Sequence, residues 1–244
     1  MDRHIWTLLK EAAAELVFPR RLCACCGAES PEDILCPDCR AAQSRLRSCR
    51  RCASFLPSRY PAELCPACQQ KAPPFVLARA ALPYEGELRQ RLLHLKYNAD
   101  LGQRRYLAPL LLESYQRSFR GLPIDFLLPV PLSPERYEAR GYNHAAILSR
   151  MLGEKLGLAH RPELLHRVKN TRPLASLPPR QRQEELQGAF AASAECPGQR
   201  ILLIDDIFTS GSTATAASQT LLQAGASAVY VLTVAAGWVS VNRG

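Results

Sequence analysis

Apolar residues recur along this chain with two alternating periods, and the changes of period mark the elements. Residues 78–84 read as a strand. Residues 87–97 then place Leu88, Leu92 and Leu95 on one side of a helix. A second helix is expected at 101–119, with its apolar cluster at Leu107–Leu112, followed by a buried strand at 125–131 that runs into a proline-containing turn. Residues 142–156 return to helical spacing through Ala146, Leu148, Leu152 and Leu156. Residues 201–206, a helix at 212–223 and a strand at 228–235 make a βαβ unit, which is right-handed by rule. Strands alternating with helices predict an α/β fold: an open, mainly parallel sheet with helices on both faces. Residues 164–190 interrupt the alternation with Pro173, Pro178, Pro179 and many polar residues, and a mobile lid over a reaction site is expected there. At the start of the chain Trp6, Leu9, Ala13, Leu16 and Val17 fall on one face of a helix spanning 1–20, which is expected to pack on its own protein.

Composition narrows the class. With 244 residues and 47% hydrophobic content the chain suits one full globular domain plus a small one. No apolar run reaches the roughly 20 residues that span a bilayer, so no membrane insertion is expected. Asp2, Lys10, Glu11 and Glu15 break any secretory core in the first 21 residues, which predicts a cytoplasmic protein. The formal net charge of +9 gathers at 40–51 and 160–182, a balance that favours polyanions, nucleic acid or pyrophosphate.

Ten cysteines in a cytosolic chain point to metal rather than disulfides. Cys23–Cys26, Cys36–Cys39, Cys49–Cys52 and Cys65–Cys68 form four C-x-x-C pairs within 46 residues. Two such turns complete a tetrahedral four-thiolate site. The order reads as two successive zinc ribbons over 21–70, the first from Cys23, Cys26, Cys36 and Cys39 and the second from Cys49, Cys52, Cys65 and Cys68. A cross-braced pairing of the first turn with the third satisfies the same spacing. Four thiolates leave no open position, so both zinc ions are expected to be structural. Cys25 and Cys196 are spare. Lys71-Ala72-Pro73-Pro74 marks the boundary with the larger domain at 71–244.

The richest chemistry lies at 201–213, Ile-Leu-Leu-Ile-Asp-Asp-Ile-Phe-Thr-Ser-Gly-Ser-Thr. An apolar strand ends on two adjacent, unpaired acids, and a loop of hydroxyls and glycine opens a helix. Backbone N–H groups and a helix N-terminus in such a loop suit a phosphate, with Thr209, Ser210, Ser212 and Thr213 adding hydroxyls and Gly211 allowing close approach or a positive φ. Asp205 and Asp206 suit ribose hydroxyls or Mg²⁺. This order resembles the phosphoribosyl pyrophosphate (PRPP) motif of type I phosphoribosyltransferases.

A second set of residues extends the resemblance. Pro129-Val130-Pro131-Leu132-Ser133, then Arg136 and Arg140-Gly141-Tyr142-Asn143, resembles the signature of the ComF family of competence-associated proteins. Lys96-Tyr97 is similar to that family's Leu-Lys-Tyr element, and Thr171, Leu177, Arg182 and Gly188-Ala189-Phe190 to its lid pattern. Leu174 and Glu185 depart from that pattern, where Gln and Asn are usual. The resemblance implies a double zinc ribbon joined to a type I phosphoribosyltransferase-like domain that binds PRPP or a related phosphorylated pentose. It further implies that residues 209–213 hold the 5-phosphate and that Asp205 and Asp206 act on the ribose as the catalytic pair. By the same resemblance Val130, Pro131, Leu132, Ser133, Arg136 and Arg140 take the pyrophosphate, bridged to the ribose by Mg²⁺. A role in natural transformation on the cytosolic side is implied with no named acceptor, with single-stranded DNA and a DNA-uptake helicase as partners. The competing reading is a non-enzymatic protein that handles single strands or docks a helicase, using the PRPP site as a sensor.

Overall fold

The computed structural model of the chain describes residues 22–172 and 177–239; the expected helix at 1–20 and the departure at Leu174 lie outside the described residues. In chain order the helices are α1 (Pro37–Ser44), α2 (Pro66–Gln70), α3 (Gly86–Tyr97), α4 (Arg104–Ser118), α5 (Pro134–Arg140), α6 (His144–Leu156), α7 (Pro179–Leu186) and α8 (Ser212–Gln223). The strands are β1 (Arg47–Ser48), β2 (Phe55–Leu56), β3 (Leu77–Pro83), β4 (Phe126–Pro129), β5 (Ala159–His160), β6 (Leu165–Arg167), β7 (Phe190–Ala192), β8 (Arg200–Phe208) and β9 (Ala228–Ala236). No helix among the described residues is long and apolar enough to cross a membrane.

Five strands pair in the order β3-β9-β8-β4-β5, all parallel. This is the open parallel sheet expected from the alternating periods. Strand side chains alternate between faces, and the core divides accordingly. Ile201 and Leu203 of β8 and Val229 and Val231 of β9 pack on one face, with Ala217 and Leu221 of α8. Leu202 and Ile204, with Tyr230, Leu232 and Val234, pack on the other, beneath Leu92 and Leu95 of α3, Leu107 and Leu111 of α4, and Leu148 of α6. Buried on both sides, these strands read as continuous apolar runs, as a parallel sheet requires.

The two cysteine-rich modules lie on opposite faces of this sheet. Cys23, Ala24, Leu35 and Cys36 join the α3–α4–α6 side, while Cys49, Cys52, Phe55, Leu56, Cys65 and Cys68 join the α8 side. Arg40 of α1 clamps the first module to α4 through Glu113 at 2.6 and 2.8 Å. The second is sewn to the end of β9: the Phe55 N–H donates to the Gly237 carbonyl at 3.0 Å, and the Phe55 and Trp238 rings lie 5.6 Å apart.

The segment at 164–190 carries more structure than its irregular composition suggests. β6 and β7 pair antiparallel, α7 lies between them, and Leu164, Leu165, Leu186, Ala189 and Phe190 enter the core on the α8 face. Those five apolar residues are spaced by neither simple period, so the sequence pattern hides an arm whose base is anchored.

Candidate functional site

β8 ends at the C-terminal edge of the sheet, beside the β4 turn, where an open α/β sheet places its ligands. The strand alternation that built the core also sets the two acids apart. Asp206 turns to the α3–α6 face, where the Lys96 ammonium contacts its Oδ2 and His144 Nε2 lies 3.4 Å from its Oδ1. The expectation of two unpaired acids is thereby corrected. Asp206 is 4% exposed, and a carboxylate that deeply buried requires a charged partner. Burial alone pushes the Asp206 carboxyl up, but Lys96 and His144 outweigh it and hold the pKa far below the usual carboxylate range. Asp205 is half-buried beside Thr233 of β9, and its Oδ1 accepts the Asp206 N–H at 2.8 Å. Burial and the neighbouring Asp206 charge push the Asp205 pKa well above normal, with Lys96 opposing them.

Past β8 the chain turns through Thr209 and Ser210, both exposed, and enters α8. Gly211 is the N-cap in the left-handed region at φ +75°, with no side-chain cap on the helix. A Cβ there would sit 2.5 Å from Phe208 Cζ, so backbone conformation and local packing both demand glycine. The first N–H groups of α8 are left for an external acceptor. Ser210 and Ser212 hydroxyls lie 2.8 Å apart at its mouth.

The turn at 130–133 is held close by. Val130 and Ser133 are buried, while Pro131 and Leu132 are partly exposed. Asn143 caps α6 by accepting from the Ala145 and Ala146 N–H groups, and its Nδ2 donates to the Val130 carbonyl at 3.0 Å. Arg136 donates to the Thr171 and Arg172 carbonyls at 3.4 Å, tying α5 to the arm at 164–190. Arg140 turns instead to the partner of Asp206, with Nη1 2.7 Å from His144 Nδ1 and its guanidinium over the Tyr97 ring. Thus the loop at 209–213, both acids and the 130–133 turn share one edge of the sheet, while Arg136 bonds the arm and Arg140 bonds His144. Lys96 and His144 are site residues that residue-type reasoning did not select. The signal for Lys96 was the Lys-Tyr element at the end of α3, which carries no spacing relation to Asp206.

Both cysteine sets converge as successive ribbons, and the cross-braced alternative is not formed. Within each set of four the sulfurs lie within 4.8 Å of one another. Cys26 and Cys36 sulfurs are 3.7 Å apart, and those of Cys52 and Cys65 3.6 Å. Tetrahedral zinc with Zn–S of about 2.3 Å requires sulfur separations of about 3.8 Å. The thiols therefore fit two structural zinc ions. A third group, His144, Asp205 and Asp206, also brings one ligand atom each within 4.8 Å.

No protein-family model matches the chain. Among curated proteins, the DNA utilization protein YhgH of Salmonella typhi is 32% identical over 201 residues, covering 81% of this chain and 88% of that protein. Competence protein F of Haemophilus influenzae is 29% identical over 204 residues, again covering 81% and 88%. A ribose-phosphate pyrophosphokinase of Corynebacterium ammoniagenes is 30% identical over 114 residues, 47% of this chain and 34% of that protein. The parallel sheet, its loop at 209–213 and this last similarity make the larger domain type I phosphoribosyltransferase-like. Carried at 32% identity over most of both chains, the similarity places this protein in the ComF family, that of YhgH and competence protein F.

Proposed function

We propose that this protein is a PRPP-binding, phosphoribosyltransferase-like member of the ComF family that acts in DNA utilization. The observation that carries the reading is the uncapped N-terminus of α8 opening onto an exposed hydroxyl loop, directly after two acids at the end of β8. Thr209 to Thr213 would hold a 5-phosphate through N–H groups and hydroxyls. Val130 to Ser133 would face the pyrophosphate. To join it, Arg136 would have to leave the Thr171 and Arg172 carbonyls and Arg140 would have to leave His144.

Asp205 is suited to the ribose. Its ionised form is disfavoured by burial and by Asp206, so a positive charge forming at the anomeric carbon gains most from this carboxylate. Lys96 and His144 keep Asp206 ionised and fixed, which sets the negative field at the ribose. Asp205 and Asp206 supply the hard oxygen donors that Mg²⁺ prefers, and the ion would neutralise pyrophosphate charge when bound. Glycosyl transfer here needs positioning and electrostatic stabilisation, with no covalent intermediate.

Isothermal titration with PRPP and Mg²⁺ tests the pocket. Wild type is expected to bind, and Asp205→Asn/Asp206→Asn to bind far more weakly. Equal affinity in both would remove the acids from the site. Pyrophosphate release on incubation with PRPP and a metabolite extract tests for turnover.

A further inference from the structure

One short segment, from Arg140 to His144, closes on the end of α3 and on the acid beside it. α5 stops at Arg140, Gly141 turns the chain at φ +77°, and α6 starts at His144. The Tyr142 hydroxyl donates to the Leu95 carbonyl. The Arg140 guanidinium lies 5.3 Å from the centre of the ring of Tyr97, the residue after Lys96. From α6, His144 presents Nδ1 to Arg140 at 2.7 Å and Nε2 to Asp206 Oδ1 at 3.4 Å. Lys96 contacts the other oxygen of Asp206. One guanidinium therefore reaches both partners of this acid, His144 directly and Lys96 through the neighbouring ring.

The direction of the first hydrogen bond decides the second. A guanidinium carries donors only and keeps its proton, so the His144 Nδ1 beside it accepts. The ring proton then sits on Nε2, the nitrogen that faces the Asp206 carboxylate. A proton on Nδ1 would instead confront the guanidinium N–H across 2.7 Å. His144 is 4% exposed, so departure of the guanidinium would leave a buried nitrogen without its donor. It would also take the cation from the face of Tyr97. A move of Arg140 to the pyrophosphate breaks both contacts.

We propose that Arg140 is a positioning residue for Asp206 and not a pyrophosphate ligand. Through His144 Nδ1 it fixes which ring nitrogen donates to the carboxylate. Through Tyr97 it steadies the end of α3 that carries Lys96. The effect on ribose binding rests on the proposed function; the control of His144 does not.

Nitrogen-15 NMR of the full, zinc-loaded chain with labelled histidine tests that control, and His144→Ala identifies the resonances. Wild type should show His144 with its proton on Nε2, and Arg140→Met should show a mixture of tautomers. A proton on Nδ1 in wild type, or the same tautomer in both proteins, overturns the proposal. Isothermal titration in Mg²⁺ tests the consequence. Arg140→Met should weaken ribose 5-phosphate and PRPP by the same factor, about ten-fold, as for one lost hydrogen bond to a charged group. Loss of PRPP affinity alone would make Arg140 a pyrophosphate ligand and overturn the proposal, as would no loss at all. In a double-mutant cycle with His144→Ala the two losses should overlap; losses that multiply would mean that Arg140 does not act through His144. Wild type binding neither ligand would sink the ribose site itself, while the tautomer still decides whether Arg140 governs His144.

Discussion

Replacing Lys96 with Met leaves Asp206 buried without its ammonium partner, and breaking a buried pair from one side costs about 3 kcal/mol. Urea unfolding should show that loss at pH 7, with partial recovery in Lys96→Met/Asp206→Asn, where no charge is stranded. The acids have opposite pH signatures. Asp205 has a raised folded pKa, so the native state keeps a proton that the unfolded chain releases. Its contribution therefore declines as pH rises from its ordinary 3.8 towards the folded value. Asp206 is held low, so its contribution is present above the unfolded value and disappears only in strong acid. Asp205→Asn should flatten the decline in urea midpoint above about pH 4; an unchanged slope would mean that Asp205 titrates normally. Gly211→Ala places a Cβ against Phe208 at positive φ, at a cost of about 1–2 kcal/mol for the backbone alone. Its thermal midpoint and its ribose 5-phosphate affinity should both fall. The motif at 201–213 displayed Asp205, Asp206 and Gly211, but not the partner of either acid. Lys96 and His144 stand 110 and 62 positions before Asp206, and no local pattern links them.

At the scale of elements, α6 and the 130–133 turn are joined through one side chain. Asn143→Ala removes both the α6 cap and the tie to Val130, with an expected loss of about 1 kcal/mol. PRPP affinity should fall with it, because the turn loses its anchor; unchanged affinity would separate the turn from the ligand. The sequence displayed α6 by its period and the proline turn by composition. It did not display α5 or β5, which are seven and two residues long and too short to show a period. The arm at 164–190 shows no clear period for a related reason: β6 and β7 are three residues each and meet across 22 intervening positions. Each ribbon should hold one zinc, giving about two per chain by metal analysis. Cys49→Ser should reduce that count by one and expose Phe55 and Leu56, which the second ribbon buries at 3% and 1%.

The whole molecule is arranged so that its small modules are not independent of its sheet. Each ribbon contributes to the core on one face, and the second also hydrogen-bonds the chain leaving β9. Calorimetry of the zinc-loaded protein should therefore give a single unfolding transition; a separate early transition for the ribbons would show that these contacts contribute little. The net charge of +9 gathers in the sequence at 40–51 and 160–182, but which basic residues share a surface is decided at this scale. Arg150 and Arg167, 17 positions apart in the chain, line a single groove beside the β4 turn.

The sequence by itself determined the parallel sheet, the two four-cysteine sets and the strand, loop and helix at 201–223, because each is encoded by neighbours: a period, a C-x-x-C turn, a strand-loop-helix of fixed order. Only the tertiary structure decided that Lys96 and His144 close on Asp206 and leave Asp205 without an ammonium of its own. It also decided that the ribbons cover opposite faces and that Arg167 is buried. These are facts of burial and of charge between residues far apart in the chain, and such pairings come into being only when the chain has folded.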